Sequence, residues 1–187
     1  MSVDRIGERL RRYRRAAKKT LNQVAAESGL TASFLSQAER NLTGVSLSSL
    51  ASIARSLGVP LNSLFEQPLQ PAPDSHQGER VRYAIEGQSL GYERLSSAFP
   101  GNQLNAVKMH MPVGYQSEIS VHEGAEFAYV LSGSIVYTID GHSYPLGPGD
   151  SVHFDAGKSH SLRNAGDAGA EVLTVTTMPL FGEHPGS

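Results

Sequence analysis

The first sixty residues carry hydrophobic positions at a helical spacing. One stripe, surrounded by arginines, consists of Ile6, Leu10, Tyr13 and Ala17. A second stripe consists of Leu47, Leu50, Ile53, Ala54 and Leu57. Apolar residues three and four apart share one face of an α-helix. Gly58 and Pro60 follow the second stripe and predict its end, because neither residue continues a helix well.

Beyond residue 80 the pattern changes to short segments rich in Val, Ile, Thr, Tyr and Phe. The segments are QLNAVKMHMP, AEFAYVLSGSIVYTID, HSYPL, DSVHFDA and AEVLTVTTMP. They are separated by PG, DG, GPG and AGDAG, which are turn sequences. Many short strands at close spacing predict an antiparallel sandwich or barrel. The fold class is therefore multidomain, with an all-α domain followed by an all-β domain.

The stretch EQPLQPAPDSHQGER between these regions holds three prolines and almost no large apolar residue. Such a composition predicts an extended, fairly stiff linker. We therefore divide the chain into a helical domain at residues 1–66, a linker at 67–80 and a β domain at 81–187.

Charge divides along the same boundary. Residues 1–67 contain ten basic and five acidic residues, a net charge of +5, whereas the rest contains six basic and thirteen acidic residues, a net charge of −7. All seven histidines lie in the acidic part. This asymmetry favours a polyanionic partner for the first domain. A solvated basic helix face is the alternative at this stage.

Composition also limits the chemistry. The chain has no cysteine, so disulfides and thiolate metal sites are excluded, and a metal would need His, Asp, Glu or water. No apolar run approaches the roughly 20 residues of a membrane helix, and the basic N-terminus lacks the apolar core of a secretory signal. We expect a cytoplasmic protein with no membrane partner.

The stretch TLNQVAAESGLTASFLSQAERN predicts two short helices joined by a turn. Thr20 is placed to cap a helix over Leu21–Ser28, and Gly29 allows the tight turn that ends it. Thr31 is placed to cap a second helix, which runs to about Ala38. This is the layout of a DNA-binding helix-turn-helix.

The same stretch resembles the helix-turn-helix of the XRE family, the Cro and phage-repressor type, over roughly residues 4–66. The resemblance implies a five-helix domain whose second motif helix enters the major groove of double-stranded operator DNA. By position, Ala32, Ser33 and Gln37 would face base edges. Residues placed near phosphates are Thr31, Ser36, Arg40 and Asn41. Sequence-independent attraction would come from Arg11, Arg12, Arg14 and Arg15. The alternatives are a surface amide for Gln37 and an ion pair with Glu39 or another acid for Arg40.

Two later stretches, GYQSEISVHEGAEFAYVLSG and GDSVHFDAGKSHSLRN, resemble the paired motifs of the cupin family, a double-stranded β-helix barrel. The first motif is matched at Gly114, His122, Glu126 and Gly133. The second motif is matched at Gly149, Gly157, His160 and Asn164. Ser120 stands where the first motif has its first histidine, and Asp155 stands where the second has proline. The resemblance covers about residues 80–180.

The cupin resemblance implies that His122, Glu126 and His160 meet around one divalent metal. Two histidines and one carboxylate suit Fe(II), and Zn, Ni or Mn would also accept them. A metal-free polar pocket with hydrogen-bonded histidines is the alternative. Ser120, Tyr129 and Arg163 are the candidates for a pocket that holds a small-molecule effector.

XRE–cupin fusions resemble bacterial regulators of catabolic and stress operons. The expected function is sequence-specific transcriptional regulation by a homodimer, with two reading helices about 34 Å apart on DNA and a barrel that senses the effector. No catalytic residue is assigned. The alternative is a mononuclear iron oxygenase resembling hydroxypropylphosphonate epoxidase, which would keep the helix-turn-helix as an interaction module.

Overall fold

The computed structural model describes residues 6–59, 61–64, 72–80, 82–84, 90–97, 99 and 101–177. The outer parts of the predicted domains, residues 1–5 and 178–187, and the first part of the predicted linker, residues 67–71, lie outside this description. None of the described helices combines the length and the apolar character needed to cross a membrane.

The N-terminal domain, called the head below, is all-helical. Its α-helices are α1 (Ile6–Ala16), α2 (Leu21–Ser28), α3 (Ala32–Glu39) and α4 (Leu47–Ser56), and a 3-10 helix spans Leu61–Leu64. The expected five helical segments are present in the described part of the chain, but the fifth is a single 3-10 turn. The preceding Gly58, with φ 68°, stops α4.

The two motif helices begin and end where the sequence predicts. Thr20 accepts a hydrogen bond from the backbone of Gln23, whose side chain accepts one from the Thr20 amide, so α2 starts with a capping box. Gly29 ends α2 at φ 73°, a left-handed conformation that suits glycine. The Thr31 hydroxyl accepts a hydrogen bond from the Phe34 amide and caps α3.

Helix α1 approaches α3 unusually closely. Gly7 is buried, and a β-carbon there would collide with the carbonyl oxygen of Ala38 and lie 2.6 Å from Oδ1 of Asn41. The Gly7 amide donates a 2.9 Å hydrogen bond to that Asn41 oxygen. Leu10, Leu35 and other apolar side chains fill the space between the helices. The position of α3 is therefore fixed by α1.

The C-terminal domain, called the barrel below, consists of two antiparallel sheets. Its strands are β1 (Arg82–Ala84), β2 (Gly91–Arg94), β3 (Asn105–Met111), β4 (Ala125–Ser132), β5 (Ile135–Ile139), β6 (His142–Leu146), β7 (Ser151–Asp155), β8 (His160–Asn164) and β9 (Ala170–Thr176). The larger sheet has the order β1-β2-β3-β9-β4-β7 and the smaller β6-β5-β8. Alternate residues of β3, β4 and β9 are buried, as expected for strands with one face on a core.

The second half of the predicted linker is not a free spacer. Ser75 bonds the carbonyl oxygen of Leu95, and the Arg80 guanidinium bonds Ser75 and lies 3.5 Å from a carboxylate oxygen of Glu93 on β2. These contacts tie residues 75–80 to the barrel. Polar side chains of this part of the linker thus contact β2 and the residue that follows it.

Candidate functional site

Helix α3 presents a small polar face to solvent. Thr31, Ser33, Gln37 and Arg40 are exposed, whereas Ala32 and Ser36 are half-buried. The opposite face packs on the head core through Leu35 and Ala38, which are almost fully buried. Ser33, Gln37 and Arg40 lie three or four positions apart, so they share one side of the helix. This face has the placement that the sequence predicts for base and phosphate contacts.

Two residues near the end of α3 that the sequence predicts as phosphate contacts also form hydrogen bonds within the head. The Asn41 side-chain oxygen accepts the hydrogen bond from the Gly7 amide. Asn41, which the sequence places near phosphate, therefore also holds the end of α3 to α1. The Arg40 Nε donates to the Ser36 carbonyl at 3.1 Å. Arg40 does not pair with Glu39, because that carboxylate is occupied by Arg14.

Arg14 is a structural residue of the head. Its guanidinium donates to both carboxylate oxygens of Glu39, at 2.8 Å for the Nη2–Oε2 pair, and also to the Lys19 carbonyl. The hydrogen bonds that Arg14 donates to Glu39 raise the pKa of Arg14. We therefore remove Arg14 from the set of sequence-independent DNA contacts. Arg11, Arg12 and Arg15 on the same helix are exposed.

The three predicted metal ligands meet inside the barrel. His122 precedes β4, Glu126 is its second residue, and His160 begins β8. All three are at least 92% buried. The Glu126 Oε2 atom lies 3.7 Å from Nε2 of His122 and 3.9 Å from Nε2 of His160, and one ligand atom from each residue lies within 4.8 Å of the others. Ligands about 2.1 Å from a shared ion lie roughly 3–4 Å apart, and both carboxylate–histidine distances fall in that range.

The histidine rings are oriented by their other nitrogen atoms. Nδ1 of His122 lies 3.1 Å from the Glu123 carbonyl oxygen, and Nδ1 of His160 lies 2.9 Å from that of Lys158. A carbonyl only accepts, so each Nδ1 carries the proton and each Nε2 presents a lone pair. Neither buried Nε2 has a hydrogen-bond partner among the described residues. Two lone pairs and a carboxylate facing one point fit a cation.

Tyr137, on β5, orients the carboxylate ligand. Its buried hydroxyl donates a 2.8 Å hydrogen bond to Oε1 of Glu126 and leaves Oε2 facing the histidines. Burial, and next the nearby Glu126, raises the pKa of Tyr137 well above its usual value, so the phenol remains a donor. Tyr137 and Glu126 are eleven positions apart, so no short spacing in the sequence predicts the bond between them.

The ligands line a cavity of about 60 Å³ that is mostly apolar. A water needs roughly 10–15 Å³, so the space suits a few waters or a small ligand. Its lining comprises Ser46, Ser48, Val107, Met109, Tyr115, Ser117, Ser120, His122, Glu126, Tyr137, His160, Ser161, Leu162, Thr174 and Thr176. Ser120 thus reaches the pocket as the sequence predicts.

Tyr129 and Arg163 do not reach the pocket. Tyr129 lies on the outer face of β4 with 37% of its surface exposed, and Arg163 is exposed on β8. Each is three positions from a ligand of its own strand, Glu126 or His160. Successive strand side chains alternate between faces, so an odd offset places a residue on the opposite side. The prediction for these two residues is wrong for that reason.

The missing proline of the second cupin motif is replaced by a local hydrogen bond. The Asp155 side chain accepts from the Gly157 amide at 2.9 Å, and the Asp155 carbonyl accepts from Lys158. An Asx turn of this kind closes the loop that leads to His160. The departure from the motif therefore leaves the position of His160 intact.

The head also contributes to the pocket, which the sequence does not reveal. Ser46 and Ser48, at the start of α4, line the cavity, and Oγ of Ser48 lies 3.0 Å from Oγ of Ser120. Glu118 accepts hydrogen bonds from the Ser46 amide at 3.4 Å and the Ser49 hydroxyl at 3.2 Å. Burial raises the pKa of this carboxyl above its usual value.

Comparison with protein families agrees with both halves of this architecture. The helix-turn-helix model matches residues 10–64 and the cupin domain model matches residues 107–176. The head therefore matches a helix-turn-helix domain, and the barrel that follows it matches a cupin domain.

Several known proteins align with nearly the whole chain. The HTH-type transcriptional regulator PuuR of Escherichia coli (strain K12) is 26% identical over 179 residues, covering 94% of this chain and 96% of that protein. An HTH_3 family transcriptional regulator from Vibrio cholerae has the same fold, with a TM-score of 0.63, 18% identity, and coverage of 94% of this chain and 96% of its own. Hydroxypropylphosphonic acid epoxidase from S. wedmorenis aligns over 93% of this chain and 97% of its own, with 20% identity and a TM-score of 0.48.

Proposed function

We propose that this protein is a sequence-specific DNA-binding transcriptional regulator whose barrel senses a small-molecule effector at a divalent metal. The observation that best supports the proposal is the structure of helix α3. It is a capped motif helix with a small polar face in solvent and its other face fixed to the head core. The similarity to the transcriptional regulator PuuR, which spans 94% of this chain and 96% of that protein, supports the same function.

In this function α3 lies in the major groove. The Gln37 amide is able to bond both N6 and N7 of adenine, and Ala32 is small enough to contact a thymine methyl group. Ser33 is the third residue of the base-reading set. Thr31, Ser36 and Arg40 are placed for phosphates, with exposed arginines of α1 adding a salt-dependent attraction. A homodimer would present two copies of α3 to successive turns of operator DNA.

In the barrel, His122, Glu126 and His160 would hold one ion, with Fe, Zn, Ni and Mn as the candidates. Such an ion supplies a Lewis acid with open positions for an oxygen-containing or nitrogen-containing ligand. Tyr137 and the carbonyls of Glu123 and Lys158 fix the three ligands before binding, which reduces the cost of assembling the site. The apolar wall excludes water and limits the size of the effector.

An iron oxygenase would use the same three ligands, so the metal centre does not separate the two functions. The exposed polar face of α3 favours the function of a DNA-binding regulator. A head that served only as an interaction module would not need a capped helix with small polar side chains in solvent. We give the chain no catalytic residue.

The decisive experiment is a DNA titration with the full chain. Fluorescence anisotropy would compare a duplex from the upstream region of its own gene with random duplex near physiological salt. We expect nanomolar binding to the former and binding at least a thousandfold weaker to the latter. Equal affinity for both, together with iron-dependent turnover of a phosphonate or another small acid, would establish the oxygenase instead.

The metal is tested separately by its stoichiometry. His122→Ala combined with Glu126→Ala should abolish bound metal, measured by mass spectrometry of the purified protein. His142→Ala with Glu79→Ala is a matched control, because both of those side chains are exposed. Unchanged metal content in the first double variant would place the metal elsewhere.

A further inference from the structure

The DNA-binding head forms part of the wall of the metal pocket. Ser46 and Ser48 stand at the start of α4, yet both line the cavity that contains His122, Glu126 and His160. Their partners, Glu118 and Ser120, lie in the barrel segment that leads to His122. These two partners are two positions apart in an extended segment, so they face the same way, toward α4.

The segment that touches the head is also bonded to a metal ligand. The Ser120 amide donates to the His160 carbonyl at 2.8 Å, and the His160 amide donates to the Ser120 carbonyl at 2.9 Å. This reciprocal bridge makes Ser120 the backbone neighbour of His160. A shift of His160 when a cation binds is therefore passed to Ser120 without an intervening loop.

Ser120 occupies the position at which the cupin motif has its first histidine. Its hydroxyl lies in the cavity and is 3.0 Å from the Ser48 hydroxyl, so the site of the absent ligand is used as a contact with the head. A hydroxyl donates one hydrogen bond at a time. A water or effector atom bound near the metal would compete with Ser48 for that bond.

The second contact between head and barrel, made by Glu118, is weak enough to be broken. Glu118 faces the first turn of α4, where backbone amides and the helix dipole favour a carboxylate. Its partial burial opposes the charge, and the Ser46 bond is long at 3.4 Å. The net attraction between head and barrel at this point is the small difference between these effects.

We propose that the effector site is composite, with Ser48 of the head and Ser120 of the barrel forming its mouth, so that occupation of the His122–Glu126–His160 centre loosens or tightens α4 through these two hydroxyls. The proposal rests on the proposed function, since it assigns the route by which the barrel acts on the head. The thermodynamic consequence is reciprocal: metal changes DNA affinity by the same factor by which DNA changes metal affinity.

The test uses the full chain with Zn²⁺ or Co²⁺ as the probe. Hydrogen exchange of the amides in the first turn of α4 is measured with and without bound metal, and DNA affinity is measured in the same two states. In the native protein we expect metal to alter both, with a change of about fivefold or more in DNA affinity. In Ser48→Ala and in Ser120→Ala, metal should still bind but should leave DNA affinity nearly unchanged.

Ser52→Ala is the matched control, because it removes a hydroxyl from the same helix that does not line the pocket. It should retain the native response. Ser120→His is an independent probe: it restores the fourth ligand of the motif, so it should bind metal more tightly while losing the response of α4.

The outcomes separate the two proposals. Altered exchange in α4 without specific DNA binding would reject the regulator and support the composite site. Specific DNA binding with metal bound but no change in α4 would keep the regulator and overturn the composite site. A full response in Ser48→Ala, or no metal binding in the native protein, would also overturn it.

Discussion

Tyr137 donates a hydrogen bond to Glu126 across the barrel interior, and that bond sets which carboxylate oxygen faces the two histidines. Tyr137→Phe removes the donor without changing the packing volume of the ring. Loss of a partner that orients a metal ligand typically lowers metal affinity by about 10–100-fold. We expect such a loss in a competition titration with a chromogenic chelator. Tyr144→Phe, at an exposed tyrosine on β6, should bind like the native protein. Equal affinity of all three proteins would show that Glu126 is held without Tyr137.

Gln37 is the side chain on α3 best suited to read a base. Gln37→Ala should weaken binding to the specific duplex by about 1–3 kcal/mol and leave binding to random duplex nearly unchanged. Gln103→Ala, an exposed glutamine of the barrel, is the matched control. Anisotropy titrations on both duplexes give the two affinities. An equal loss on both would mean that Gln37 contacts no base.

Arg14 and Arg15 are adjacent and should behave differently. Arg14→Ala leaves Glu39 without its partner at a partly buried position, so we expect about 1–3 kcal/mol lower stability of the head in chemical denaturation. Arg15→Ala should leave stability nearly unchanged, weaken binding to all duplexes alike and reduce the salt dependence of binding. The reverse pattern would return Arg14 to the DNA-contacting set.

The pKa of Glu118 indicates how the contact between head and barrel responds to pH. Its pKa in the folded protein is raised, so protonation favours the docked arrangement. The contribution is fully present below the ordinary glutamate pKa of 4.5 and is lost as pH rises through the raised value. The described groups that bond this carboxylate are Ser46 and Ser49 of α4, neither of which titrates in this range.

The chain has no cysteine, so a dye pair can be attached at Arg55→Cys on the head and Asp167→Cys on the barrel, both exposed positions. Energy transfer should change as pH rises from 4.5 toward neutrality. The same experiment on Glu118→Gln should show a smaller change in energy transfer, because the amide that replaces the carboxyl does not titrate. An identical pH response in both would assign the effect to other groups.

Local patterns predicted the helix-turn-helix, because it depends on short spacings, whereas the resemblance to the paired cupin motifs implied that His122, Glu126 and His160 lie together. Thr20, Gly29 and Thr31 act within their own turns, and the cupin motifs place His122 and Glu126 four positions apart. The errors arise where side chains alternate: Tyr129 shares a strand with Glu126 but not a face. Tyr129 is an odd number of positions from Glu126, and this offset alone would have excluded Tyr129 from the pocket.

Long-range contacts were beyond the sequence pattern. Ser48 and Ser120 are 72 positions apart, and the bond between them depends on how two domains pack, which no periodicity encodes. Arg14 illustrates the same limit within one domain. It looks like its basic neighbours along α1, and only the placement of Glu39 on α3 gives it a different role.

The close approach of α1 to α3 has a consequence for how such a regulator can diverge. Under the proposed function, operator preference can change by substitution at the exposed Ser33 and Gln37, since neither side chain supports the head core. Gly7 and Asn41 have no such freedom, because any β-carbon at Gly7 displaces the reading helix and any loss of the Asn41 oxygen leaves a buried amide unpaired. Descendants of this protein that bind new operators should therefore vary at the first pair and retain the second.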